Sequence, residues 1–175
     1  MRHYDGSSWS KANLQQYDEP SLKDVGGSGP NNVWVVGSGF TVYRYDGSQW
    51  TETEGAVDSS DWLTEVEVNG PKDVWAAGSG GKPWHWNGTK WKRHTDIDNG
   101  HWIDGMWSGG SGNVWLSVTA TNQFDSNYAS VYHWDGSSWT EHATGVGKHG
   151  LHEIWGDGQG GLWAVGGDGT IIGKR

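Results

Sequence analysis

Four short apolar runs, each centred on a tryptophan, recur along the chain: Val33-Trp34-Val35-Val36, Val74-Trp75-Ala76-Ala77, Val114-Trp115-Leu116 and Leu162-Trp163-Ala164-Val165. Their tryptophans stand 41, 40 and 48 residues apart. The runs do not alternate apolar with polar residues, the pattern of a strand covered on both faces by neighbouring sheets. Ahead of each lies another apolar segment, Leu22 to Val25, Leu63 to Val68, Ile103 to Trp107 and Leu151 to Trp155. A third pattern is an aromatic residue, Asp or Asn, Gly, two small or polar residues, then Trp. It reads Tyr4-Asp5-Gly6-Ser7-Ser8-Trp9, Tyr45-Asp46-Gly47-Ser48-Gln49-Trp50, Trp86-Asn87-Gly88-Thr89-Lys90-Trp91 and Trp134-Asp135-Gly136-Ser137-Ser138-Trp139. Asp-Gly or Asn-Gly between aromatic runs predicts a tight hairpin, with both central residues of a type I′ turn at φ > 0. Asn87 replaces Asp without its charge, so the acidic residue reads as turn chemistry and not as a metal ligand or catalytic acid.

Each repeat therefore predicts four strands, A to D, the signature of a β-propeller blade. A β-sandwich does not predict such regular whole-unit repetition. The expectation is an all-β four-bladed propeller in one domain, residues 1–175, with blades at about 21–57, 58–98, 99–146 and 147–175 plus 1–13. The last blade takes A, B and C from Leu151 to Arg175, and the N-terminal hairpin completes it as a latch, with Trp9 as a core residue and no sheet edge left open. Met1 to Tyr4 and Ile171 to Lys174 then compete for the same strand C. The alternative is an eight-bladed ring of two chains, so the chain is expected as monomer or homodimer.

These motifs resemble bacterial propellers built from Trp-rich repeats of the Asp-box, tectonin and WD-repeat kind, and the blade number is similar to hemopexin-like domains. The resemblance covers nearly all of the chain and implies the fold. It implies little about function, because such propellers include lectins, scaffolds and hydrolases. The copies lack the Ser or Thr that an Asp-box carries two residues before Asp, and the Arg-rich active site of sialidases has no counterpart.

Composition narrows the partners. A chain of 175 residues with 30 Gly, 15 Trp and only 4 Pro is neither collagen-like nor of disordered composition. A net charge of −9 argues against nucleic acid or an anionic membrane as the main partner. Cysteine is absent, so no disulfide or thiolate metal site holds the fold. Residues 1 to 25 contain no apolar run, so no signal segment is expected in this chain, and no segment suits membrane insertion. An extracellular, periplasmic or cell-surface location is the expectation.

In a meander the D–A and B–C loops share one face. Trp62 and Trp102 stand there immediately before strand A, where the other blades have Ser21 and Gly150, and the longer B–C loop of Thr119 to Ser130 carries Phe124 and Tyr128. Trp62, Trp102, His101, Asp61, Asp98 and Phe124 are the candidate ligand-binding set. Indoles stack on the C–H faces of sugars while Asp and His bond to hydroxyls, so a non-catalytic, lectin-like carbohydrate-binding module is expected. A protein-interaction scaffold using the same face is the alternative. The third choice, a glycoside-active enzyme, would rely on Asp58, Asp61 and Asp98, but no nucleophile with a nearby base is legible and the chain is not expected to be an enzyme. His3, His85 and His133 align with Arg44 on strand C and read as packing residues. Asp24, Glu65 and Glu153 share the third position of strand A, with Gly105 in the remaining blade, and could bind a structural cation in the central channel or bond to neighbouring backbone. Asp96-Ile97-Asp98-Asn99-Gly100 lacks the spacing of a calcium loop and reads as a turn, so no cofactor is expected.

Overall fold

The computed structural model describes residues 2–12, 14, 21–53, 61–95, 97, 101–120, 129–146 and 150–174, with the backbone alone at His101 and Ala120. The fold is an all-β four-bladed propeller. Blade one is the antiparallel meander β3 (Leu22–Gly29), β4 (Asn32–Gly37), β5 (Thr41–Tyr45) and β6 (Trp50–Glu52). Blade two is β7 (Leu63–Gly70), β8 (Asp73–Gly78), β9 (Trp84–Trp86) and β10 (Trp91–Arg93). Blade three is β11 (His101–Ser108), β12 (Val114–Ala120), β13 (Ala129–Trp134) and β14 (Trp139–Ala143). The fourth sheet has three strands, β15 (Leu151–Gly156), β16 (Leu162–Gly166) and β17 (Ile171–Lys174). Strand β3 packs on β7, β7 on β11, and β11 on β15, so the A strands follow one another along the inside.

The apolar runs of the first three blades become buried because the next sheet covers them. One core joins Trp34, Val36 and Val42 of blade one to Leu63, Val66 and Trp91 of blade two. A second joins Trp75 and Ala77 to Ile103, Met106 and Trp134, and a third joins Trp115 and Val131 to Leu151, Ile154 and Leu162. The strand-B tryptophans are held on a second side by their own blade. His85 stacks on Trp75 at 4.4 Å and His133 on Trp115 at 4.0 Å, while the Arg44 guanidinium lies 5.5 Å from the Trp34 ring centroid. These strand-C side chains are thus packing residues of the blade. The glycine three residues after Trp in blades one, two and four is a steric requirement. A Cβ on Gly37, Gly78 or Gly166 would collide with the carbonyl oxygen of Ser21, Trp62 or Gly150 just before strand A.

Two expectations change. The hairpin turn is not type I′, since only its glycine has positive φ, +96° to +100° in the four copies. Four residues separate the closing pair, as between Tyr45 and Trp50, and Asp46 Oδ1 accepts from the N–H groups of Ser48 and Gln49 at 2.8 and 2.9 Å. Asn87 Oδ1 makes the same bonds to Thr89 and Lys90, which is why the amide substitutes for the acid. These bonds favour the charged form and bring Asp46 and Asp135 down to about 2.

The second change concerns closure. The N-terminal strands β1 (Arg2–Tyr4) and β2 (Trp9–Lys11) pair with each other as a separate two-stranded sheet, and do not enter the fourth blade within this chain. β17 already occupies the edge of β16, and the hairpin lies beside blade one, near Asn31, Tyr45 and Trp50. Trp9 is therefore 64% exposed and not a core residue of the single chain. Among the described residues no hydrophobic cluster joins blade four to blade one.

Candidate functional site

The face on which the A strands begin carries two exposed tryptophans, and the strands lead from there to a group of carboxylates. Trp62 and Trp102 occupy equivalent places in adjacent blades and are 51% and 46% exposed. The backbone of Trp62 is clamped, its carbonyl accepting from Ser79 N–H at 2.9 Å and its N–H donating to Ser79 Oγ at 2.9 Å. The same main-chain bond, Ser38 N–H to Ser21 carbonyl at 3.0 Å, fixes blade one, so the indole of blade two projects from a rigid strand start. Trp102 is held within β11, opposite Thr119. Lys23 of blade one places its Nζ 6.0 Å from the Trp62 ring centroid, a cation–π arrangement.

A β-bulge sits at the same place in every blade, between Leu22 and Asp24, Leu63 and Glu65, Ile103 and Gly105, and Leu151 and Glu153. A bulge re-aims the side chain that follows it, and this one gathers the third-position carboxylates. Asp24 bridges blades: its Oδ2 accepts from Val66 N–H of blade two at 2.8 Å and its Oδ1 from Val25 N–H at 2.7 Å. Glu153 Oε1 accepts from Ile154 N–H at 3.0 Å. At Gly105 there is no room for a side chain, because a Cβ would lie 2.7 Å from the Glu153 Cα. The carboxylate of blade three stands one residue earlier, at Asp104.

Crowding alters the charge of this cluster. Burial, with the charges of Glu153 and Asp24 beside it, pushes Glu65 up to about 8. Burial and the charge of Asp24 push Glu67 to about 7. Burial also raises Asp104, against the opposing influence of Thr119 and His152. Near neutral pH Glu65 therefore holds a proton. Among the described residues no three His, Asp or Glu side chains converge as a metal site. Asp24 and Glu153 bond to strand backbone, and Glu65 lies in the field of both.

The other candidates separate. Asp61 lies beside Trp62 in sequence, but its carboxylate is turned to the Arg93 guanidinium at 3.1 Å and its carbonyl accepts from Phe40 N–H at 2.8 Å. His101 lies in β11, with its backbone alone described, and Asp58, Asp98, Phe124 and Tyr128 lie outside the described residues. Lys23, Glu67 and Asp104 occupy non-repeated positions of strand A that the repeat pattern does not mark. Glu65 and Glu67 alternate along β7.

Comparison with known proteins bears on the fold. No family model matches the chain, and no curated protein matches it. Among solved structures it is similar to YCF48 from Cyanidioschyzon merolae, with a TM-score of 0.53 and 15% identity over 97% of this chain and 74% of that one. It is also similar to YCF48 bound to D1 peptide, with a TM-score of 0.52 and 14% identity over 96% of this chain and 68% of that one. At such identities the likeness is one of fold. The Asp-box, tectonin and WD-repeat resemblance rests on the motifs alone.

Proposed function

We propose that this protein is a non-catalytic propeller that binds a polypeptide segment through the face of Trp62 and Trp102. The observation that carries the reading is the pair of half-exposed indoles at equivalent places in adjacent blades, at the starts of the strands that carry Glu65, Glu67 and Asp104. Lys23 over Trp62, a cation on an indole ring, supports the reading. A segment carrying Lys or Arg with an apolar or aromatic neighbour fits that surface. The peptide held by one structural neighbour supports this reading by analogy of fold.

A second reading, carbohydrate binding, draws on the same two rings, because indole faces also stack on sugars. Asp61 weakens it, since the hydroxyl acceptor beside Trp62 is engaged by Arg93. A peptide array of basic-aromatic, neutral and acidic segments, run beside a glycan array, separates the two. Basic-aromatic hits lost in the Trp62→Ala/Trp102→Ala protein support the peptide reading. Glycan hits lost in that variant with a blank peptide array would replace it.

A further inference from the structure

The interblade cores share one construction. The strand-B tryptophan of one blade meets the paired aromatics of the next blade's outer hairpin. Trp34 meets Trp91 edge-on at 5.8 Å and Trp86 at 5.6 Å. Trp75 meets Trp139 at 5.9 Å and Trp134 at 6.0 Å. Beneath them a strand-A aliphatic of the next blade is buried: Val66, Met106 and Ile154 are 5%, 3% and 2% exposed. The third core lacks the aromatic pair. Trp115 faces the Lys174 ammonium at 5.4 Å, and a cavity of about 250 Å³ bounded by Trp115, His142, Leu162 and Gly173 remains beside it.

The two ends of the blade series carry the matching halves of a further core. At blade one, Val25 is the counterpart of Val66, Met106 and Ile154, yet it is 60% exposed. Tyr45 and Trp50 form the usual outer pair, 5.2 Å apart, but they line a cavity of about 740 Å³ between blade one and the N-terminal hairpin. At blade four, Trp155 and Val165 are 57% and 45% exposed, and Trp163 lies beside Trp155 at 5.6 Å with no outer pair across from it. The sizes match as well. Trp107 of blade three packs its ring where Gly156 of blade four lacks a side chain, and the corresponding residue of blade one is Gly27.

We propose that a second copy of this chain docks end to end, blade four of one copy on blade one of the other. Trp163 enters the larger cavity against Tyr45 and Trp50, as Trp34 and Trp75 do in their cores. Trp155 covers Gly27, and Val165 meets Val25. In the same seam the N-terminal hairpin joins the other copy's blade four, where β2 pairs with the open edge of β17 as the outer strand and Trp9 fills the smaller cavity beside Trp115. A second copy is favoured over self-closure because three packed cores already fix the blade-to-blade geometry with the ends apart, and packed interiors yield little. A second copy meets both ends with those cores unchanged. The contact is heterologous, and two identical seams close it as a two-chain ring.

Light scattering on the full chain tests this. The expected mass is twice 19.2 kDa, and Val25→Lys and Trp163→Ala should each reduce it to that of one chain. Val25 is exposed in the single chain, so Val25→Lys keeps its far-UV circular dichroism, and loss of the dimer cannot be put down to misfolding. Each variant retains one intact end, so mixing the two should restore a dimer through a single seam. A wild-type mass of one chain, or a dimer mass unchanged in both variants, overturns the proposal.

Discussion

Trp34 and Trp75 occupy equivalent sites, are 0% and 1% exposed, and differ in one respect that permits a sharp comparison. The Trp34 indole N–H donates to Asn32 Oδ1 at 3.0 Å, and Asn32 in turn donates to Ser28 Oγ at 2.7 Å. In blade two the corresponding residue is Asp73, which bonds to His85 at 2.8 Å, and the Trp75 N–H is buried without a partner among the described residues. Replacing either indole by Phe removes similar volume from a similar core, worth about 1 to 2 kcal/mol on the scale of core truncations. At Trp34 the change also strands a buried Asn32 oxygen, which costs about 1 to 3 kcal/mol more. At Trp75 it removes an unpaired donor, which offsets part of the volume loss. Trp34→Phe should therefore be less stable than Trp75→Phe by about 1 to 3 kcal/mol. Urea unfolding, monitored by circular dichroism, measures it through the midpoint at unchanged slope. If the two variants agree within about 0.5 kcal/mol, the bond to Asn32 contributes nothing and the reasoning about indole pairing is wrong.

Two further outcomes follow from the same geometry. Gly78→Ala should destabilise blade two by about 1 to 3 kcal/mol or more, because its Cβ would meet the Trp62 carbonyl, a backbone atom that cannot move without shifting the start of β7; an unfolding midpoint equal to wild type would refute this. Stability should fall as pH rises between 4.5 and about 8, since the unfolded chain ionises Glu65 at the lower value while the folded chain holds the proton. The slope is bounded by about 1.4 kcal/mol per pH unit for one proton and is reduced by solvent screening. Glu65→Gln should flatten it in urea titrations across that range, and an unchanged slope would show that Glu65 does not carry the effect.

The sequence revealed most of the fold because propeller repeats write their periodicity in tryptophan and glycine. Strand order in each sheet, the packing role of His85 and His133, and the exposed places of Trp62 and Trp102 all follow from repeat alignment. The turn type did not, because Asp-Gly is shared by two-residue and four-residue hairpin loops, and only the bonds from Ser48 and Gln49 to Asp46 distinguish them. The fate of the N-terminal hairpin was also hidden. Its repeat position matches the last blade, but which edge it meets depends on whether β17 already fills strand C. The carboxylate cluster was half visible: position three of strand A could be read, whereas the bulge that turns it inward and the shift from Gly105 to Asp104 depend on how closely β15 packs.

The measurement closest to the central claim is calorimetric titration of a basic-aromatic peptide into the wild-type protein and into Trp62→Ala/Trp102→Ala at pH 6 and pH 8. Wild type should bind with one site per chain, more tightly at pH 8, and release protons as the peptide cation draws Glu65 and Glu67 into their charged forms. The variant should lose affinity by about tenfold or more, as removal of paired aromatic anchors does. Equal affinity in the two proteins would contradict the assignment of this face.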